Sequence, residues 1–249
     1  VLEAGGMAGI LVLVWINGLM AVMRYRAGAV VHKLSPTGVL LGSAVLAGVG
    51  LLALSYVSSG IAVFGAATVF ALGVCYFWPT MLGVVSERVP KSGALGLGLM
   101  GTVGMATVGL VAAPQMGRIA DEYAHDQIPA AEVTVVLERT AMVLGNSLDP
   151  DAQAAVSAAS GVVQEYEVSG VLPAPATANA LRSLIASDAD ADLIGQAQAI
   201  LGPADNYGGK ISFRYMVPLC GVLMLIFGAL YMRDRSTGGY RIESIEADG

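Results

Sequence analysis

The sequence is poor in charge. Charged residues make up 13% of its 249 positions, where a soluble domain carries about a quarter. The deficit is concentrated in blocks, which is how membrane proteins look and soluble enzymes do not. Cysteine is scarce as well. Cys75 and Cys220 have no CxxC partner and sit in apolar runs, so they read as small core residues rather than ligands. Histidine occurs at His32 and His125 only. The topology derived below puts these two on opposite sides of a membrane, so no metal cluster is assembled from them. No nucleophile, acid–base pair or phosphate loop is recognisable. "GLGLMG" is glycine-rich but lies in an apolar run and follows no strand, so it is no dinucleotide site. An enzyme is not expected, nor a cofactor, a metal or a nucleic-acid partner.

What the chain has instead is long uncharged runs. Ala4–Met23 is 20 residues, Leu34–Ser86 is 53, Ser92–Gly117 is 26 and Tyr215–Met232 is 18. A spanning helix needs about 20 apolar residues. The second run fits two spans, broken at "SYVSSG", Ser55 to Gly60. Five spans are therefore expected, near 4–24, 37–57, 60–86, 92–117 and 214–232. Lysine and arginine mark cytoplasmic loops. They occur after the first span (Arg24, Arg26, Lys33), between the third and fourth (Arg88, Lys91) and after the last (Arg233, Arg235). The C-terminus is thus expected in the cytoplasm and residues 119–212 outside. The chain opens on Val1 with no basic n-region and no cleavage site, so no signal peptide is read. It is expected to be the C-terminal part of a longer protein.

The four domains expected are four transmembrane helices over 1–118, an acidic helical insertion over 119–212, a last span over 213–235 and a cytoplasmic tail over 236–249. The insertion has thirteen acids against three bases, Arg139, Arg182 and Lys210. Val133, Val136, Leu137 and Leu144 fall at helical spacing, and Asp149 or Asp151 is a plausible N-cap. Three or four short helices are read there, the last including "DADLIGQAQAILG". Asp188, Asp190 and Asp192 lack the glycine and glutamate of an EF-hand loop and read as a solvated helix start.

Several residues inside the spans need explaining. Pro79 removes a backbone hydrogen bond and kinks its helix, and Tyr76 brings a hydroxyl close to that kink. Asn17 is an amide in an apolar helix and must find a partner in a neighbour or a wet cavity. Asn17, Tyr76, Thr80 and Thr102 are the candidates for a solute pathway. Ala94, Gly98, Gly101, Met105, Gly109 and Ala112 fall within about 80° of one another at 3.6 residues per turn. Such a stripe lets helix backbones approach closely. Gly98, Gly101 and Gly109, with Pro79, Arg24 and Arg26, are the candidates for packing and gating.

"INGLMAVMRYRAGAVVHKLSP" resembles the eighth helix and following loop of major facilitator superfamily transporters. "FWPTMLGVVSERVPKSGALGLGLMGTVGMATVGLVAAPQMGRIAD" resembles their tenth and eleventh helices. Its Phe77/Pro79/Thr80 cluster and closing Pro114, Gly117 and Asp121 are most like sugar permeases related to fucose permease. The resemblance implies an all-α polytopic bundle, half of a twelve-helix transporter, here helices eight to twelve with a helical outer-side insertion. It further implies alternating access, coupled to an ion or proton, for a small polar, sugar-like solute. The partners expected are the lipid bilayer, the solute and a missing N-terminal half, in a bacterial inner (plasma) membrane. A receptor-like protein that uses the insertion to bind a partner or ligand is the other reading.

Overall fold

The computed structural model describes residues 7–25, 34–57 and 60–243. Among the described residues there is no strand, and nearly all are helical. The chain divides into two compact units. One is Val1–Gln115 with Phe213–Gly249, and the other is Met116–Ser212.

The first unit holds α1 (Met7–Tyr25), α2 (Pro36–Tyr56), α3 (Ile61–Cys75), α4 (Phe77–Arg88) and α5 (Gly93–Thr107). A 3₁₀ turn, Pro90–Ser92, precedes α5, and a π-helical segment, Val108–Ala112, joins it to α6 (Ala113–His125). The last helix, α10 (Ala191–Ser236), contributes its second half. Four stretches are long and apolar enough to cross a membrane: Pro36–Tyr56, Ile61–Arg88, Pro90–His125 and Ala191–Ser236. A shorter apolar helix covers Gly9–Tyr25. By length and composition these mark a membrane protein.

Local chemistry explains the boundaries. α2 begins where Ser35 Oγ accepts the Gly38 N–H at 3.2 Å and Pro36 takes the first helical position. It ends at Tyr56, and Gly60, at φ 74°, lets the chain turn into α3. The expected break in the 53-residue run therefore falls where it was read; Ser58 and Ser59 lie outside the described residues. Ile61–Arg88 is interrupted at Tyr76, three residues before Pro79. The π segment has a similar cause. Pro114 has no N–H to donate to Leu110, and its ring crowds that carbonyl, so the preceding turn widens.

Packing within this unit centres on α2. At Gly50 an added Cβ would stand 2.5 Å from Phe70 N and Cα. At Gly73 it would strike Ala47 N and lie 2.7 Å from Ala47 Cα. The α2 and α3 backbones thus touch with no side chain between them. On another side of α2, Gly48 meets Met224 and Cys220, and Leu40 and Ala44 pack on Phe227. Phe77 completes that contact edge-to-face, 5.6 Å from the Phe227 ring.

The second unit contains α6 from Met116 onward, α7 (Ala130–Leu144), α8 (Pro150–Ser169), α9 (Ala174–Ala186) and the first part of α10. Val133, Val136, Leu137 and Leu144 are all buried, as their spacing predicts. They meet Ala155, Ala159, Leu181, Leu184, Leu193 and Ala197 in one apolar core. Asp149 is the N-cap of α8, accepting the Ala152 N–H at 2.9 Å. Arg182 bridges Asp205 at 3.0 Å and Asp121 at 3.6 Å, and Arg139 pairs with Asp192 at 3.3 Å. These pairs are half-exposed and contribute little. One detail differs from the sequence reading. "DADLIGQAQAILG" is not a separate short helix but the start of the 46-residue α10.

Candidate functional site

Halfway along Ile61–Arg88 the helix is broken, and three polar contacts gather at or near the break. Pro79 cannot donate to the carbonyl four residues back, that of Cys75. Arg24 of α1 takes up that carbonyl: its Nε donates to Cys75 O at 3.3 Å. In return, the Tyr76 hydroxyl donates to Met23 O at 3.1 Å. The main chain continues past the break through Thr80 N–H to Tyr76 O at 3.0 Å. One helix fills the gap left by the other's proline, and a tyrosine satisfies a carbonyl in the opposite direction. Two turns nearer the α3 start, Trp15 Nε1 donates to Thr68 Oγ1 at 2.9 Å, with Phe64 edge-on to the indole. These contacts pin α1 alongside α3 in parallel.

A second polar cluster closes one end of the bundle. Arg88 grips Asp234 at 2.5 Å, and Thr37 donates to the same carboxylate at 2.8 Å. Asp234 is 7% exposed and Thr37 is fully buried. The tail folds back over the pair. Tyr240 lies 4.8 Å under the Arg88 guanidinium and donates to Glu87 at 2.6 Å. Burial and then the hydrogen bond to Glu87 push the Tyr240 phenol well above its ordinary range. At the other end Arg214 stacks on Tyr56 at 4.4 Å and donates to Ser55 O at 3.3 Å.

The residues singled out by sequence fall in three places. Tyr76, Pro79, Arg24 and Thr80 meet at the break, and Thr80 is buried. Asn17 is exposed and donates to Leu13 O of its own helix at 2.8 Å. Thr102, likewise exposed, donates to Gly98 O. Gly98, Gly101 and Gly109 face open space, since a Cβ at any of them would meet nothing within 4 Å. Gly109 is the second residue of the π segment. Arg26 lies outside the described residues.

Sequence reasoning missed Gly50, Gly73 and the Arg88–Asp234–Thr37 cluster. Asp234 left one usable trace, as the lone acid in "MRDRS". Gly50 and Gly73 left none, because each belongs to a glycine-rich helix with several small residues to choose from. Compared with known proteins, the chain matches no family model, no curated protein and no solved structure.

Proposed function

We propose that this chain is part of a secondary transporter that moves a small polar solute across a membrane by alternating access. The observation that carries the reading is the pair of broken spans. Ile61–Arg88 is interrupted at Tyr76 and Pro90–His125 at Val108–Ala112. Irregular backbone at membrane depth is tolerated only where protein or a wet cavity covers it, and transporters place their solute sites there. Supporting it further, Pro90–His125 has no buried residue within its most apolar window. A span so uncovered fits a helix whose partner lies elsewhere in the protein.

On this reading the five spans are helices eight to twelve of a major facilitator fold, and the motifs quoted above are what speaks for it. Asn17, Tyr76, Thr80 and Thr102 line the pathway. Gly98, Gly101 and Gly109 form the sliding face, and the Arg88–Asp234 cluster holds one end shut. The intact protein in sealed proteoliposomes should accumulate a labelled polar solute above the level of empty vesicles. Failure of every sugar and sugar acid to enter would sink the reading. One observation favours a receptor instead: Met116–Ser212 has an apolar core of its own beneath an acidic surface. Deleting nothing but the acids at Asp188 and Asp190 (Asp→Ser) leaves uptake unchanged if transport is the function.

A further inference from the structure

The depth of Arg24 is the unusual feature. α1 runs parallel to α3, with Trp15 on Thr68 and Arg24 on Cys75. Cys75 is the fifteenth residue of the 28-residue stretch Ile61–Arg88. At 1.5 Å per residue that is about 21 Å from one end and about 20 Å from the other. Centred across a hydrocarbon core of about 30 Å, the Cys75 carbonyl lies near the midplane. This corrects the expectation that Arg24 belongs to a cytoplasmic loop: its bond to the Cys75 carbonyl holds the guanidinium at a depth where an unpaired charge is costly and marks function.

Its partner there is a neutral carbonyl. Among the described residues no carboxylate forms a salt bridge with Arg24. A guanidinium has five N–H donors. The Cys75 carbonyl takes the one on Nε, which leaves the end-on fork of Nη1 and Nη2 to bind a carboxylate through two parallel hydrogen bonds. Asn17 lies two turns back on α1. Seven residues at 100° each return it to within about 20° of Arg24 on the helix surface. Both residues are exposed in this chain. The Asn17 amide gives one N–H to Leu13 O, which leaves its second N–H and its carbonyl oxygen for a ligand hydroxyl. The two side chains stand about 10 Å apart along the axis.

From this we infer that the solute is an anion: a small carboxylate bearing hydroxyl groups, such as a sugar acid, with its carboxylate on Arg24 and a hydroxyl on Asn17. The inference rests on the transport reading and replaces its neutral sugar by a charged one. Arg24 is fixed by a carbonyl that Pro79 releases, so its position is set before the solute arrives.

The test uses the intact protein with glucuronate and glucose, which share a ring and differ at one carbon, and with gluconate and lactate. Binding is read by thermal shift in detergent and movement by proteoliposome uptake. In the wild type a carboxylate should raise Tm and be taken up in preference to glucose. Arg24→Gln should weaken carboxylate binding about ten- to a hundredfold, the range for a hydrogen bond to a charged group. Any response to glucose should stay as it was. Arg24→Lys keeps the charge without the fork and should fall between, and it carries the test if Arg24→Gln does not fold. If no carboxylate shifts the wild-type Tm, the anion is refuted. If Arg24→Gln lowers Tm but leaves every solute effect intact, Arg24 is an internal counter-ion and the anion is again refuted. Uptake of glucose in preference to every carboxylate, unchanged in Arg24→Gln, refutes the anion and keeps the transporter. A carboxylate shift lost in Arg24→Gln, without uptake of any solute, keeps the anion site and removes the transporter.

Discussion

Replacing Gly73 by alanine tests the contact on which the first unit is built. The new methyl would strike Ala47 N and lie 2.7 Å from Ala47 Cα. Ordinary contact begins near 3.5 Å, so α2 and α3 must separate by about 1 Å. No rotamer change relieves this, because the obstruction is backbone. Overpacking costs about 1–3 kcal/mol. In lipid, where helix association depends on packing rather than on exclusion of water, the loss is not offset by burying a methyl. Gly50→Ala meets Phe70 backbone at 2.5 Å across the same interface. One separation relieves both clashes, so the double variant should lose less than the sum of the singles. Gly98→Ala and Gly101→Ala are the controls, since neither methyl touches anything within 4 Å. They gain helix propensity, up to about 1 kcal/mol each. Reversible unfolding in mixed micelles should rank Gly98→Ala and Gly101→Ala at or above wild type, with Gly73→Ala below it. A Gly73→Ala protein as stable as Gly98→Ala, or strictly additive Gly50 and Gly73 losses, would refute the backbone contact.

Three further outcomes follow from the end cluster and the exposed helix. Asp234→Ala strands the Arg88 guanidinium and removes the acceptor of Thr37, so unfolding should show a loss of about 3 kcal/mol. Most of that should return in the Arg88→Met/Asp234→Leu pair. Tyr240 has a raised phenol, so its neutral form is the docked one. Docking holds below about pH 10 and is lost as pH rises through the raised value. Ultraviolet titration should show a late tyrosine that Tyr240→Phe removes; a Tyr240 titrating with the exposed tyrosines would contradict it. On the proposed reading, in which the missing half covers the face of Gly101 that is open in this chain, Gly101→Val in the intact protein should reach the membrane and transport poorly, through a wedge of about 1–3 kcal/mol, while Thr107→Val transports normally. The reverse pattern places the sliding face on the wrong side of the helix.

How far the sequence carries can be read from individual residues. Uncharged runs and glycine breaks are local signals, so α2, the turn at Gly60 and the kink near Pro79 were all legible. So was the α7 face, because Val133, Val136 and Leu137 repeat with the helix. Partners were not legible. The Arg88–Asp234 pair joins residues 146 apart and Arg24–Cys75 joins residues 51 apart, and nothing in a linear pattern says which helices lie side by side. The small-residue stripe was visible on α5, but the tight contact occurs between α2 and α3. A stripe records that close approach is permitted, not where it takes place. The π segment was missed because Pro114 is a familiar helix breaker, and its alternative, a widened turn, leaves no composition of its own.

The bond between Arg24 and the Cys75 carbonyl also fixes an order of events during synthesis. Arg24 leaves the ribosome 51 residues before its acceptor. At about 5–20 residues per second the wait is about 3–10 s. Through that interval α1 carries a guanidinium with no carbonyl to receive it, and long cationic side chains in that state hold to the membrane surface. On the depth inferred for Arg24, α1 is expected to enter shallow and to settle only when Ile61–Arg88 arrives with the carbonyl that Pro79 has left vacant.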